Sequence, residues 1–203
     1  MADWIITFIT NYSYGGVFFL MVAENVFPPI PSEVVLPFIG RAVADGEMNF
    51  LLALLAATVG SLIGTSIWFL VGMFVPAIKL EKFLQNYGGY IAISARDFHK
   101  ATEFFTKYQI PAVFFGRMIP GVRSVISIPA GSVQMKLKTF IVYSAIGSVI
   151  WNTALISVGY FLLNDFSVVA EYMNPITNGI FGLFIAIYFF QVVRFLIDKT
   201  RTT

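Results

Sequence analysis

The sequence predicts an all-α integral membrane protein made of two inverted repeats, each a re-entrant helical hairpin plus a transmembrane helix. Cytoplasmic amphipathic helices join the repeats, and a C-terminal transmembrane helix follows them. Three observations carry this expectation. Of 203 residues, 58% are hydrophobic, 17% aromatic and only 12% charged, with a mean hydropathy of +0.80, far more apolar than a soluble domain needs. Charge-free runs long enough for a bilayer alternate with apolar runs that proline interrupts near the middle. Finally, the two halves of the chain resemble each other. So little polar sequence leaves no room for a separate soluble catalytic domain, so a single polytopic membrane domain over 1–203 is expected.

Taken in order, residues 1–13 (MADWIITFITNYS) open with an acidic residue and lack a basic leader region and a small-residue cleavage site. They are expected to stay in the mature chain as an interfacial helix. Residues 14–40 form the first hairpin, broken by Glu24, by Pro28, Pro29 and Pro31, and by Glu33. Roughly 10 apolar residues flank the break on each side, about half a bilayer per arm at 1.5 Å per residue. Residues 50–78 give a transmembrane helix. Residues 79–108 mix Lys79, Lys82, Arg96, Lys100 and Lys107 with Phe83, Tyr87, Phe98 and Phe104, the pattern of amphipathic helices on an anionic leaflet. Residues 109–135 repeat the hairpin theme around Arg117, Pro120, Gly121, Arg123, Pro129 and Gly131. Two more transmembrane helices follow at 139–164 and 176–197.

Basic residues orient this layout. The segment from Lys79 to Lys107 and the tail with Arg194, Lys199 and Arg201 are basic, whereas the loops Arg41 to Asn49 and Asn164 to Pro175 hold one arginine against four acids. The positive-inside rule therefore places the basic segment and the C-terminus in the cytoplasm. The first hairpin then enters from outside and the second from the cytoplasm. GSLIGTSIWFLVG (60–72) aligns without a gap on GSVIWNTALISVG (147–159), and VFF at Val17 faces VFF at Val113, each ahead of a hairpin that ends near a glycine, Gly40 or Gly131. Repeats of this kind, inverted in the membrane, hold substrate where their broken helices meet.

Four ionisable residues remain at membrane depth: Glu24 and Glu33 on one hairpin, Arg117 and Arg123 on the other. A lone charge at the bilayer centre costs about 2.5 to 3.5 kcal/mol on an insertion scale. The four are therefore expected to meet at the hairpin tips and share a wet cavity. A structural ion-pair lock is the bland explanation, but buried pairs often stabilise no better than packed apolar residues, which favours use over stability. Guanidinium forks and half-helix N-termini suit a phosphate, and the carboxylates can exchange protons as substrate takes their arginines.

The pattern E-x3-PPIPSE (Glu24 to Glu33), then F-x-x-R-x-IP-x-x-R-S (Phe114 to Ser124), Pro-Ala-Gly at Pro129 to Gly131 and G-x3-W at Gly147 to Trp151 resembles the DedA family of bacterial membrane proteins over nearly the whole chain. The resemblance implies a multi-pass transporter of the cytoplasmic membrane, with two opposed re-entrant hairpins, that returns undecaprenyl phosphate for cell-envelope synthesis. Its implied partners are a polyprenyl phosphate lipid, membrane lipids and protons or sodium ions. Glu24, Glu33, Arg117 and Arg123 fall on the family's essential positions, the arginines for phosphate and the glutamates for ion coupling; many members carry aspartate where this chain has Glu33. The rival readings are an ion-coupled exporter of small solutes, a lipid scramblase and an assembly factor.

Other features are plainer. His99, the only histidine, falls in the charged stretch RDFHK and is expected on a helix surface. Gly60-x3-Gly64 fits packing within one subunit or a homodimer face. Trp68 and Trp151 suit packing or lipid-facing positions. No nucleotide loop, metal-ligand spacing or serine hydrolase motif occurs and cysteine is absent, so neither an enzyme, a cofactor, a metal nor nucleic acid is implied.

Overall fold

The computed structural model describes residues 2–26, 32–87, 95–119 and 122–162, and every described element is helical. The expected tip residues Pro28, Pro29, Pro31, Pro120 and Gly121, the expected helix over 176–197 and the C-terminal tail lie outside the described residues.

Helix α1 (Ala2–Val26) is two helices joined at Ser13, whose φ of 49° and ψ of −133° leave the helical region and are costly for a residue with a Cβ. Next to that break, the Tyr14 hydroxyl accepts from the backbone N–H of Asn49 at 2.8 Å, fixing α1 to the start of α3. Helix α2 (Ser32–Ala44) contains Pro37, which cannot donate to the carbonyl one turn back.

Helix α3 (Phe50–Phe74) is started by Asn49, whose side-chain oxygen accepts from the N–H groups of Leu51 and Leu52 at 3.0 and 3.2 Å. It stops short of the charge-free run that ends at Ile78. Val75 is extended, as a residue before proline prefers, and a new helix, α4 (Ala77–Tyr87), begins after Pro76. Gln134, with a φ of 55°, donates from its side chain to the carbonyl of Met73 at 3.0 Å and so satisfies an orphan acceptor at the end of α3.

Helix α5 (Ala95–Lys107) lies beside α4, and His99, exposed as its sequence context implies, sits between Glu81 and Glu103 at 3.2 and 3.4 Å. The second hairpin region is three short pieces, α6 (Gln109–Gly116), α7 (Val122–Val125) and α8 (Ser127–Ser132). Helix α9 (Leu137–Leu162) closes the described chain.

Helices α3 and α9 are long and apolar enough to cross a membrane, each about 37 Å at 1.5 Å per residue. The polarity of α3 is reversed relative to a soluble protein. Leu52, Leu55, Val59, Ile63 and Ile67 are exposed along one stripe, while Thr58, Ser61 and Thr65 are buried along another. The hairpin arms wrap the two long helices in a crossed pattern. The first arms lie on the nearer long helix in sequence, α1 on α3 and α6 on α9, and the second arms exchange, α2 packing on α9 and α8 on α3.

Glycine makes both exchanges possible. A Cβ on Gly40 would strike the carbonyl of Ile156, and one on Gly159 the carbonyl of Pro37; a Cβ on Gly131 would strike the carbonyl of Phe69, and one on Gly72 that of Ile128. Backbone thus meets backbone at both crossings, which only a missing side chain allows. Gly60 and Gly64 face α1 in the same close manner, so α1 fills the face that sequence left open to a homodimer. An apolar cluster centred on Val17, Met21, Leu36, Ile39 and Ile156 joins α1 and α2 to the long helices, and a second, centred on Phe69, Val113, Ile126 and Phe140, does the same for α6 and α8.

Candidate functional site

Three of the four charges singled out in the sequence converge between the long helices. Glu24 lies near the C-terminal end of α1 and Arg123 in the single turn of α7; both are buried, at 5% and 6% exposure. Nη2 of Arg123 donates to both carboxylate oxygens of Glu24 at 2.5 Å, joining α1 to α7 across 99 residues of chain. Both bonds leave from one nitrogen, so the pair is not a two-nitrogen fork, and Nε and Nη1 of Arg123 are not engaged by Glu24.

Arg117, 3% exposed, ends α6 and has no carboxylate of its own among the described residues. Its Nε and Nη2 donate to the Ser144 hydroxyl of α9 at 3.3 and 3.2 Å, Nη2 to the Ser127 hydroxyl of α8 at 3.3 Å, and Nη1 to the carbonyl of Arg123 at 2.9 Å. The guanidinium carbon also stands 5.5 Å from the centre of the Phe140 ring, itself stacked on Phe69 of α3. Neutral dipoles and a ring face therefore hold this cation. Glu33, in the first turn of α2, is only half-buried and makes no ion pair among the described residues, though it lies within electrostatic reach of Glu24.

The sum of charge is the main property of this site. The buried ionisable groups among the described residues are Glu24, Arg117 and Arg123, one negative and two positive. A low-dielectric site with one surplus positive charge attracts an anion strongly, since little water screens it. Pro129 and Gly131, at the far end of the same hairpin, are buried where α8 crosses α3 and set that crossing rather than touch the charges.

Sequence reasoning passed over the buried polar side chains of the two long helices. Ser144, Ser148 and Asn152 recur every four residues on α9 and are all buried, while Thr58, Ser61 and Thr65 form the matching stripe of α3. Asn152 donates to the Thr58 hydroxyl at 3.3 Å, linking the two stripes. Asn25 donates to the Met21 carbonyl at 2.8 Å and approaches Glu24 at 3.5 Å, and its own carbonyl accepts from the indole of Trp68 at 3.1 Å. Polar residues at four-residue spacing in an otherwise apolar span were the available signal. The described residues contain no group of three acidic, histidine or cysteine side chains able to hold a metal.

Comparison with known proteins fits this geometry. The VTT domain matches residues 30–161, which takes in both long helices, Glu33, Arg117 and Arg123. A Lactococcus lactis protein named alkaline phosphatase-like protein is 34% identical over 97% of this chain and 92% of its own length. Undecaprenyl phosphate transporter A of Staphylococcus aureus is 31% identical over 99% of both chains, and the protein of the same name from Bacillus subtilis is 31% identical over 98% of this chain and 94% of its own. No solved structure matches. Two of these relatives carry transporter names, and two helices of this chain are long and apolar enough to span a bilayer. By its domain match and its near full-length relatives, this chain belongs to the VTT-domain family of membrane transporters, the DedA proteins.

Proposed function

We propose that this protein is a flippase returning undecaprenyl phosphate to the inner leaflet of the bacterial cytoplasmic membrane for cell-envelope synthesis, driven by the proton gradient. The surplus positive charge buried beside Glu24 is the observation that carries the reading. A phosphate monoester bears about −1.5 to −2 charges near neutral pH. With Glu24 ionised, the site has a deficit of only one negative charge; with Glu24 protonated, it has two, which a phosphate dianion balances. Lipid and proton are thus favoured by the same state of the site. In the described conformation the Glu24 carboxylate occupies Arg123 as a resident anion. Protonation removes that competitor and frees the guanidinium for phosphate.

Arg117 and Arg123 would grip the headgroup, with Glu33, half-exposed near Glu24, passing the proton to or from the aqueous face. The architecture we propose is two inverted units, each a re-entrant hairpin plus a long helix, rocking about the crossings at Gly40/Gly159 and Gly72/Gly131. The matched glycine contacts and the exchange of second arms support it. A multi-pass chain with its C-terminus and the α4–α5 pair in the cytoplasm completes the layout.

The test is transbilayer movement of labelled undecaprenyl phosphate in proteoliposomes, comparing wild type with Arg123→Ala, with and without a pH gradient. Movement that requires both Arg123 and the gradient is expected. Arg123-dependent movement without the gradient would make the protein a scramblase, and no movement by folded protein would favour a small-solute exporter.

A further inference from the structure

The amphipathic helix α5 does not lie on the hairpin without a gap. Between it and the second hairpin is a cavity of about 490 Å³, within the range of small-ligand sites. Ala101, Phe104 and Phe105 of α5 line it from one side, Ala112 and Gly116 of α6 from another, and Ile126 completes the lining; none of the described residues lining it has a polar side chain. We infer that this groove is the binding site for the proximal isoprenoid chain of the lipid whose phosphate the arginines hold. The inference rests on the proposed phosphate site and names where its hydrocarbon goes.

Position is the first argument. Gly116 precedes Arg117 in the chain, and Ile126 precedes Ser127, a hydrogen-bond partner of Arg117, so two residues that line the groove adjoin the guanidinium site. A Cβ on Gly116 would collide with the Ile126 side chain, which shows how closely those two segments meet. The second argument is charge. Among the described side chains, the outer face of α5 exposes Arg96, Lys100 and Lys107 against the single carboxylate of Glu103, a net basic face that draws anionic headgroups toward it. Finally, an apolar void of this size forfeits dispersion contacts unless a chain fills it. Bilayer chains are as apolar as the groove, so hydrophobicity alone does not choose among them. A chain tethered to a bound phosphate has a high effective concentration there and displaces the others.

Photocrosslinking of the full chain in nanodiscs tests this, using a polyprenyl phosphate with a diazirine on an isoprene unit near the phosphate, with adducts located by mass spectrometry. Adducts are expected on Phe104 and its groove neighbours. They should fall about tenfold in Ala101→Trp, which fills the groove, and in Phe104→Glu, which makes its exposed lip polar. Arg123→Ala should abolish them. Adducts that depend on Arg123 but map to lipid-facing side chains such as Leu55 or Ile63, or that persist in both groove variants, would overturn the groove and leave the phosphate site standing. Labelling indifferent to Arg123 in the wild-type background would instead overturn the phosphate site, and the groove assignment with it.

Discussion

Gly60 lies under the carbonyl of Phe18 and the Cβ of Met21, whereas Gly147 lies under the carbonyl of Phe114 and the Cβ of Arg117. These glycines open the two segments that align in sequence, and the same backbone approach serves both halves. Its chemistry differs. Three residues before Gly60 stands Ala57, in one apolar cluster with Met21, and three residues before Gly147 stands Ser144, hydrogen-bonded to Arg117. On the second arms, Leu36 stands four residues before Gly40, and Ser127 four before Gly131. At Gly60 the contact of α1 with α3 is apolar, whereas at Gly147 the contact of α6 with α9 is polar and holds a guanidinium. The shared crossings set the geometry, and the divergence marks where charge is used.

The largest effect should come from the one contact that joins the halves by charge. Arg123→Leu leaves Glu24 buried and unpaired, and Glu24→Leu leaves two guanidiniums without a counter-charge. Each single change should destabilise the protein by about 3–5 kcal/mol in detergent unfolding, and the double Leu variant should recover most of that loss. Transport should be lost in all three. Losses in the single variants that simply add in the double would mean that the pair does not couple the halves.

The crossings come next. Gly40→Ala and Gly131→Ala each drive a methyl group into a carbonyl of the facing long helix, so each should cost about 1–3 kcal/mol. The comparison predicts similar penalties in the two halves, read from unfolding midpoints. A crossing that tolerated the methyl while its counterpart did not would break the equivalence of the two units.

Much of this was legible in sequence because the bilayer imposes simple constraints. Charge-free length marked α3 and α9, proline marked the breaks, and the expense of charge in lipid marked Glu24, Arg117 and Arg123. The partnering was not legible. Periodicity shows which face of a helix is special and is silent on what covers it, so nothing in the sequence chose Glu24 over Glu33 as the partner of Arg123 or assigned α2 to α9 and α8 to α3. Ser127 and Ser144 were hidden for a related reason: a lone serine in an apolar helix can satisfy its hydroxyl on its own backbone, and only the approach of Arg117 gives it another task.

The smallest effect on stability should accompany a complete loss of function, and it separates the two uses of buried charge. Arg117→Met with Ser144→Ala gives the second seam the chemistry of the first, Met21 against Ala57. Arg117 has no carboxylate partner among the described residues, so its removal strands no opposite charge there, and the pair Glu24–Arg123 becomes electrically balanced. Methionine can refill the space beside Phe140, and unfolding should shift by no more than about 1–2 kcal/mol in either direction. The surplus positive charge is then gone, and undecaprenyl phosphate movement should fall to the protein-free background. A variant that unfolds as readily as Arg123→Leu would make Arg117 a structural anchor of the hairpin. One that stays stable and still transports would show that the phosphate needs only Arg123, with Arg117 left to hold the carbonyl of Arg123 in place.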